Sequence, residues 1–523
     1  MKQFLIKNKR LLIDIAVLIA VFLFVFISYF IFKPLYFQKD VGVGSTDGII
    51  PRIFIYLCLA SVIVVGLVLR IQSKLTIELL LFLIFIVGVL MQLNYMLITP
   101  VDYRQHDVFS YNNAGHQGYA FIVMSGNMPT VVDKQGHLDY QFYHPPFNAF
   151  MQAMCMRCCM PFMKLYNAIF HSTYYKVDDW NSLYQTTEIL ATFYMNVATY
   201  FAIKIAYKLK VENKYKAVGA LFIALFPTLM LLAGQENNDP LCVMNCFIAI
   251  YFTVCWWENH SYFNAAMIGL FAGLAMFAKL SGALIILPAI VAFGFVLIQN
   301  IIKKEPIKDV LIQGIIIGLI MSPLGLWFHI YAKIRFDQPF GFVFANLNPE
   351  LYTGNYSFFA RFINIFDFKD MTVTMWGNTF INYNLPNFLI KSALFGEYSF
   401  LYSDSLAVIS LVLNYIFVYS SLILMVIYFI CSKKEHLEIK IIGGVIVITQ
   451  LIAQLYFNIK MPYGCTMDFR YIVPIILGFM ILNTLAFDKF NTTKGWKKYY
   501  STAVMVIGIC LGLSISLFYL TAI

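Results

Sequence analysis

Apolar runs of about twenty residues recur along almost the whole chain, and this pattern constrains the fold most strongly. A helix of that length crosses the hydrocarbon core of a bilayer. The composition agrees, because 60% of the residues are hydrophobic, 12% are charged and the mean hydropathy is +0.74. A soluble domain carries about twice that charged fraction. The sequence therefore predicts an all-α polytopic membrane protein.

The pattern predicts about thirteen transmembrane helices. They are expected at residues 11–33, 51–70, 76–98, 184–207, 216–233, 240–257, 262–279, 282–300, 308–330, 404–431, 440–459, 471–487 and 500–520. Residues 146–165 are also apolar, but Arg157, Pro161 and Lys164 disfavour a full crossing. We expect this segment to form an amphipathic helix in the outer interface.

The basic residues predict the orientation, because Lys and Arg favour short cytoplasmic loops. They concentrate in the loops 1–10, 70–75, 204–216, 300–308, 431–440 and 488–499. These loops also account for the net charge of +10, and no basic stripe interleaved with aromatic residues indicates nucleic acid. We expect a multi-pass protein of a bacterial plasma membrane with a cytoplasmic N-terminus. Two large regions, 99–183 and 331–403, then lie outside, with small outer loops at 234–239 and 460–470.

Several common classes of site are disfavoured. The ten cysteines form no evident disulfide framework. Cys155, Cys158 and Cys159 lack a second ligand pair at zinc-site spacing. The chain also has no P-loop, no GxGxxG before a helix, no GxSxG and no HExxH.

The first outer region begins with polar residues directly after a predicted membrane exit, from Asp102 to His116. His106 and Asp107 lie at the centre of this stretch. A carboxylate that stays ionised at an apolar boundary can accept a hydroxyl proton as a general base. A solvated loop with helix caps explains Asp102 alone, but we favour a functional site for His106 and Asp107.

The loop at 234–239 crowds Glu236, Asn237, Asn238 and Asp239 together. Asp239 precedes a proline at the start of a helix, which favours an N-cap role. The neighbouring oxygen-bearing side chains could instead hold a divalent cation. Glu236, Asn238 and Asp239 are therefore candidate metal or substrate ligands, and the metal is the only cofactor we expect.

Three cationic candidates lie near predicted outer ends of helices. Lys279 either extends to the interface or neutralises a lipid phosphate. Arg470 follows Asp468 at a helix start, and its planar fork matches phosphate oxygens. His144 precedes the Pro145-Pro146 pair.

Together these segments resemble the GT-C glycosyltransferases, in particular the protein O-mannosyltransferases of family 39 and the similar lipid A aminoarabinose transferases. The resemblance covers most of residues 76–480 and depends on the order and sidedness of several short elements. They are Arg104-Gln-His-Asp107, Tyr143-His144-Pro-Pro146, Asn-Asn-Asp239, Gly269-Leu-Phe-Ala-Gly273 and Ala278-Lys279-Leu-Ser-Gly282.

The resemblance implies that a sugar moves, with inversion, from a polyprenyl-phosphate donor to an acceptor on the outer face. Asp107 would be the general base, and His106, His144, Lys279 and Arg470 would bind the substrate and its phosphate. The acceptor would be a lipid, a glycan or a protein, and membrane lipids surround the chain.

The same resemblance implies four parts: N-terminal extra transmembrane helices (1–75), the catalytic core (76–330), the outer loop region (331–403) and C-terminal transmembrane helices (404–523). The chain departs from the family pattern in two ways. The acidic loop follows the third predicted span and not the first, so two extra helices precede the core. In addition, His144 occupies the position where a lysine often precedes the proline pair.

Two other functions stay open at this point. A transporter or flippase of a lipid-linked saccharide is the main alternative, although it favours polar residues within spans or a repeat between halves. A membrane scaffold without catalysis is the third function, and it needs no acidic clusters on one face.

Overall fold

A computed structural model describes residues 9–37, 49–100, 115–343, 349–368, 383–397 and 405–521. Its α-helices are α1 (Lys9–Phe37), α2 (Ile49–Ile71), α3 (Ile77–Ile98), α4 (His116–Met124), α5 (Phe147–Phe170), α6 (Trp180–Gln185), α7 (Glu188–Lys208), α8 (Asn213–Ala224), α9 (Pro227–Ala233), α10 (Asp239–Glu258), α11 (Tyr262–Ala278), α12 (Ile286–Lys303), α13 (Lys308–Phe336), α14 (Phe358–Phe362), α15 (Leu385–Phe395), α16 (Ser405–Ser432), α17 (Leu437–Lys460), α18 (Ile475–Asn491) and α19 (Trp496–Thr521). Short 3-10 turns occur at Tyr140–Tyr143, Leu280–Ile285, Pro349–Leu351, Gly464–Thr466 and Phe469–Ile472. The described residues form no β-sheet.

The predicted all-α membrane fold is confirmed. Within the described residues, 10 helices are long and apolar enough to cross a membrane, and the number rises to 12 if two bent pairs each form one span. Those pairs are α8 with α9, and the turns at 464–472 with α18. The predicted span at 262–279 is the 17-residue helix α11. The predicted interface helix at 146–165 forms as α5, which is not among the candidate spans.

The predicted cytoplasmic loops meet at one end of the bundle. Lys208 pairs with Glu258, and the amide of Glu212 donates to Asp488. Lys489 pairs with Glu435 at the same end. The predicted outer loops likewise meet at the opposite end, which is called the site end below. This grouping agrees with the predicted alternation of loops, while the orientation relative to the cytoplasm stays a prediction.

Helix α11 packs closely against α13 through small residues. Gly269 and Gly273 lie four residues apart on one face of α11. A Cβ atom at Gly269 would lie 2.9 Å from the carbonyl oxygen of Ile317, and one at Gly273 would lie 3.1 Å from the Cα of Met321. Small residues allow this close approach between membrane helices. The contact therefore fixes the position of α11 and of Lys279, which directly follows it.

We expect Gly269→Val to destabilise the protein by about 1–3 kcal/mol, because the new side chain meets backbone that cannot move aside. Gly318→Val on α13 is the matched control, since a Cβ there has no neighbour within 4 Å. Thermal unfolding of the purified proteins in detergent measures the difference. A Gly269→Val protein that unfolds at the same temperature as the control would contradict this packing argument.

Candidate functional site

Two of the candidate residues, His106 and Asp107, lie outside the described residues. Their proposed roles stay predictions. The other candidates all lie at the site end, but they divide into two neighbouring groups.

The first group is built on an ion pair between Asp239 and Lys279. The Asp239 carboxylate lies 2.5 Å from the Lys279 ammonium, and both side chains are largely buried. The predicted N-cap role of Asp239 is wrong, since α10 begins at this residue and Asn238 occupies the N-cap position. Instead, the side chain of Asn237 accepts a hydrogen bond of 2.8 Å from the amide of Asp239. Asp239 is thus oriented towards the end of α11.

Lys279 adopts an extended backbone between α11 and the turn Leu280–Ile285. Gly282 makes this connection possible, because a Cβ there would lie 2.5 Å from the carbonyl of Ala275. The Lys279 ammonium lies 4.5 Å from the centre of the Tyr471 ring, an attractive cation–π distance. Lys279 is therefore held between a carboxylate and an aromatic face.

Arg470 reaches the same aromatic ring from the 3-10 turn Phe469–Ile472. Its guanidinium lies 5.3 Å from the centre of the Tyr471 ring, and its Nη2 atom lies 3.1 Å from the Glu397 carboxylate. Asp468 caps the turn by accepting a hydrogen bond of 2.7 Å from the amide of Arg470. The structure thus brings Lys279 and Arg470 together around one tyrosine.

Lys391 and Glu397 complete this charged group, and the sequence analysis missed both. Lys391 lies in α15, fully buried, with its ammonium 3.5 Å from the carbonyl oxygen of Glu397. Burial lowers the pKa of Lys391 to about 8, an effect opposed by Asp468 and Glu397. A single lysine inside the apolar run 385–395 was the signal that could have identified it.

His144 lies close to the two cations, at the end of the turn Tyr140–Tyr143. The hydroxyl of Tyr119 donates to its carbonyl at 2.9 Å, and its ring stacks with His116 at 6.4 Å between centroids. Burial, followed by the positive charge of Lys279, lowers the pKa of His144 well below its usual value. His144 is therefore neutral at physiological pH and can offer a phosphate a hydrogen bond but no charge.

Glu236 belongs to the second group, apart from the Asp239–Lys279 pair. Its carboxylate accepts hydrogen bonds from the hydroxyl of Thr187 and from the amide of Gln152, the latter at 3.3 Å. Asn238 also does not join the ion pair, and its buried side-chain nitrogen has no hydrogen-bond partner among the described residues. Glu236 and Asp239 thus contact different partners although they are neighbours in sequence.

The predicted metal site receives no geometric support from this arrangement. No group of three or more His, Cys, Asp or Glu side chains in the described segments is arranged to hold a metal ion. Asp239 directs its carboxylate to Lys279, and Glu236 directs its own to Thr187 and Gln152. The divalent metal stays a prediction.

An apolar cavity of about 210 Å³ adjoins the charged group. Phe469 and Ile472, which flank Arg470 in the 3-10 turn, belong to its wall. The rest of the wall comes from Phe226 and from α8, α15, α16, α17 and α18. A long apolar chain could occupy this space while a charged head group lies near Arg470.

Residues 181–327 match the family model described as dolichyl-phosphate-mannose-protein mannosyltransferase. Over these residues the chain is similar to the protein mannosyltransferases, which supports a GT-C, protein mannosyltransferase-like family. The matched region contains both Asp239 and Lys279. No curated protein matches the chain. The match confirms the resemblance inferred from the sequence and supports a membrane glycosyltransferase of the GT-C type.

Glu236 should make stability depend on pH. Burial, with the nearby Glu188 carboxylate as the second cause, raises the pKa of Glu236 well above its usual value. Its pKa in an unfolded chain is about 4.3. Between these two values the folded state binds more protons, so the free energy of unfolding falls as pH rises.

We therefore expect Glu236→Gln, which mimics the protonated form, to lose less stability than the wild type between mildly acidic and alkaline pH. Melting temperatures of both proteins, measured across this range, test the expectation. Glu212→Gln, at an exposed ion pair on the opposite end, is the control. Parallel curves for wild type and Glu236→Gln would show that Glu236 is ionised in the folded protein.

Proposed function

We propose that this glycosyltransferase transfers a sugar from a polyprenyl-phosphate donor to a hydroxyl group on the extracytoplasmic side. The observation that carries the proposal is the convergence of Lys279 and Arg470 on Tyr471, directly beside an apolar cavity. A lipid-linked sugar phosphate needs cations for its phosphate and an apolar space for its chain. The turn Phe469–Ile472 carries Arg470 beside the cavity wall, and Lys279 faces the same tyrosine.

In the proposed reaction, the acceptor oxygen attacks the anomeric carbon of the sugar and passes its proton to Asp107. The bond between the anomeric carbon and the phosphate oxygen breaks, and polyprenyl phosphate leaves from the opposite side, which inverts the configuration. Lys279 and Arg470 stabilise the negative charge that develops on the leaving phosphate. His144 and His106 bind the donor by hydrogen bonds.

Asp239 and Glu397 have a supporting role in this proposal. Each carboxylate holds one of the two cations in place before the donor binds. A prearranged cation needs no reorganisation when charge develops, which is the main source of electrostatic catalysis. A divalent metal at this site would compete with Lys279 for Asp239. Comparing the transfer rate with and without EDTA tests whether the reaction depends on such a metal.

The direct test is incubation of the purified protein with a panel of polyprenyl-phosphate sugars and acceptor hydroxyl compounds. We expect release of polyprenyl phosphate together with a glycosylated acceptor. A flippase would move the donor across the membrane of a vesicle without releasing lipid phosphate. That result, repeated over the whole panel, would contradict the proposed transfer reaction.

Asp107→Asn should abolish transfer without loss of expression, because an amide cannot accept the acceptor's proton. Asp133→Asn is the control, since Asp133 accepts hydrogen bonds from the amides of Gln135 and His137 and lies near the His137 ring, all within its own loop. The measurement is the rate of glycosylated product at saturating donor. Transfer by Asp107→Asn at the wild-type rate would remove this residue from the role of base.

Lys279→Gln and Arg470→Gln should each lower the transfer rate by about 10²–10³, the usual cost of losing one group that stabilises developing charge. Lys303→Gln is the control, because Lys303 is exposed and lies at the end of α12 that is away from the site end. Rates are compared at several donor concentrations, so that binding and turnover are separated. Variants with unchanged rates would place the donor phosphate elsewhere.

A further inference from the structure

A second cluster of buried charges joins the N-terminal helix to the candidate site. Lys33, in the last part of α1, lies 2.6 Å from Glu188 at the start of α7, and neither side chain is exposed. Lys33 also donates hydrogen bonds of 2.5 Å to the carbonyl oxygens of Met96 and Thr99. These carbonyls lie at the C-terminal end of α3. Backbone acceptors there have no partner within the helix, and a positive charge is favoured.

Glu236 connects this ion pair with the loop that carries Asp239. Besides burial, Glu188 raises the pKa of Glu236 and Lys33 lowers it, so both groups lie near its side chain. Glu236 also accepts the hydroxyl hydrogen bond of Thr187, the residue next to Glu188. The pair on α1 and α7 is thus in contact with a residue three positions before Asp239.

Backbone contacts hold the same loop from other sides. The carbonyl of Glu236 accepts a hydrogen bond of 2.9 Å from Tyr184 and one of 3.3 Å from Gln152. The carbonyl of Asn237 accepts one of 3.1 Å from Asn148. The position of Asp239 therefore depends on α5, on α6 and on the buried charges beside Thr187.

The buried Lys33–Glu188 pair is one of two ion pairs that dock α1 against α7. A second ion pair, between Asp14 and Lys204, also joins α1 to α7, and it is partly exposed. Removing charges from water costs several kcal/mol for each ion. Ionisable groups inside membrane helices are retained chiefly where function needs them.

We infer that Lys33 is a positioning residue for the transfer site. By binding the end of α3 and the Glu188 carboxylate, next to the Thr187 hydroxyl that donates to Glu236, it fixes the loop 234–238, and through that loop the Asp239–Lys279 pair. The N-terminal helix, which lies outside the matched residues 181–327, is thereby a part of the site. The positioning itself is a structural claim, and only its effect on transfer rests on the proposed function.

The test measures the exposure of Lys279 without any substrate. The purified full-length protein is treated with an amine-acylating reagent, and modification of Lys279 is followed by mass spectrometry. We expect Lys33→Met to increase the rate several-fold, because Asp239 no longer holds the ammonium in place. Asp14→Asn is the matched control, since it breaks the other ion pair between the same two helices and should leave Lys279 protected.

A double variant separates positioning from folding. Lys33→Met with Glu188→Gln removes both charges of the pair and so leaves neither of them buried without its partner. It should elute as a folded protein, yet still expose Lys279, since the contacts of Lys33 with the end of α3 are gone. Wild-type protection of Lys279 in this double variant, or equal exposure in Asp14→Asn, would overturn the inference.

Transfer assays on the same proteins separate this inference from the proposed function. Exposure of Lys279 together with a reduced transfer rate supports both. Exposure of Lys279 with an unchanged transfer rate still supports positioning by Lys33, and contradicts the proposed role of Lys279 in the reaction.

Discussion

The ion pair between Asp239 and Lys279 holds the site end together, because each charge is largely withdrawn from water and needs the other. Asp239 begins α10 and Lys279 follows α11, so the pair joins two neighbouring helices at one depth. Lys279 in turn lies over Tyr471, and Tyr471 lies beside Arg470. Arg470 and its partner Glu397 are thus connected to this pair through Tyr471.

Most of the fold could be predicted from the sequence, since a bilayer imposes one length and one composition on every spanning helix. The exceptions have local causes. Pro227 and Pro474 cannot continue a helix in the ordinary way, and the two bent pairs break next to them. Helix α11 falls short of a full span because the extended Lys279 ends it.

Less of the candidate site could be predicted. Sequence position and predicted sidedness were enough to select Asp239, Lys279, His144 and Arg470, which the structure brings to one end. The direction in which a carboxylate points within a short loop is not a sequence pattern, so the sequence grouped Glu236 with Asp239 although the two carboxylates contact different partners. Glu397 and Lys33 were missed because their partners lie 73 and 155 residues away, at distances that no local periodicity reports.

The 3-10 turn Phe469–Ile472 has a consequence for the choice of donor. Residues three apart in such a turn lie on the same side, so Phe469 and Ile472 share the cavity wall while Arg470 is directed to Glu397. In the proposed reaction, four consecutive residues therefore contact both the hydrocarbon tail and the anionic head of the donor. A donor whose tail fits this wall poorly would misalign the guanidinium, so the proposed transfer would discriminate among lipid carriers by the geometry of their tails as well as by their sugar.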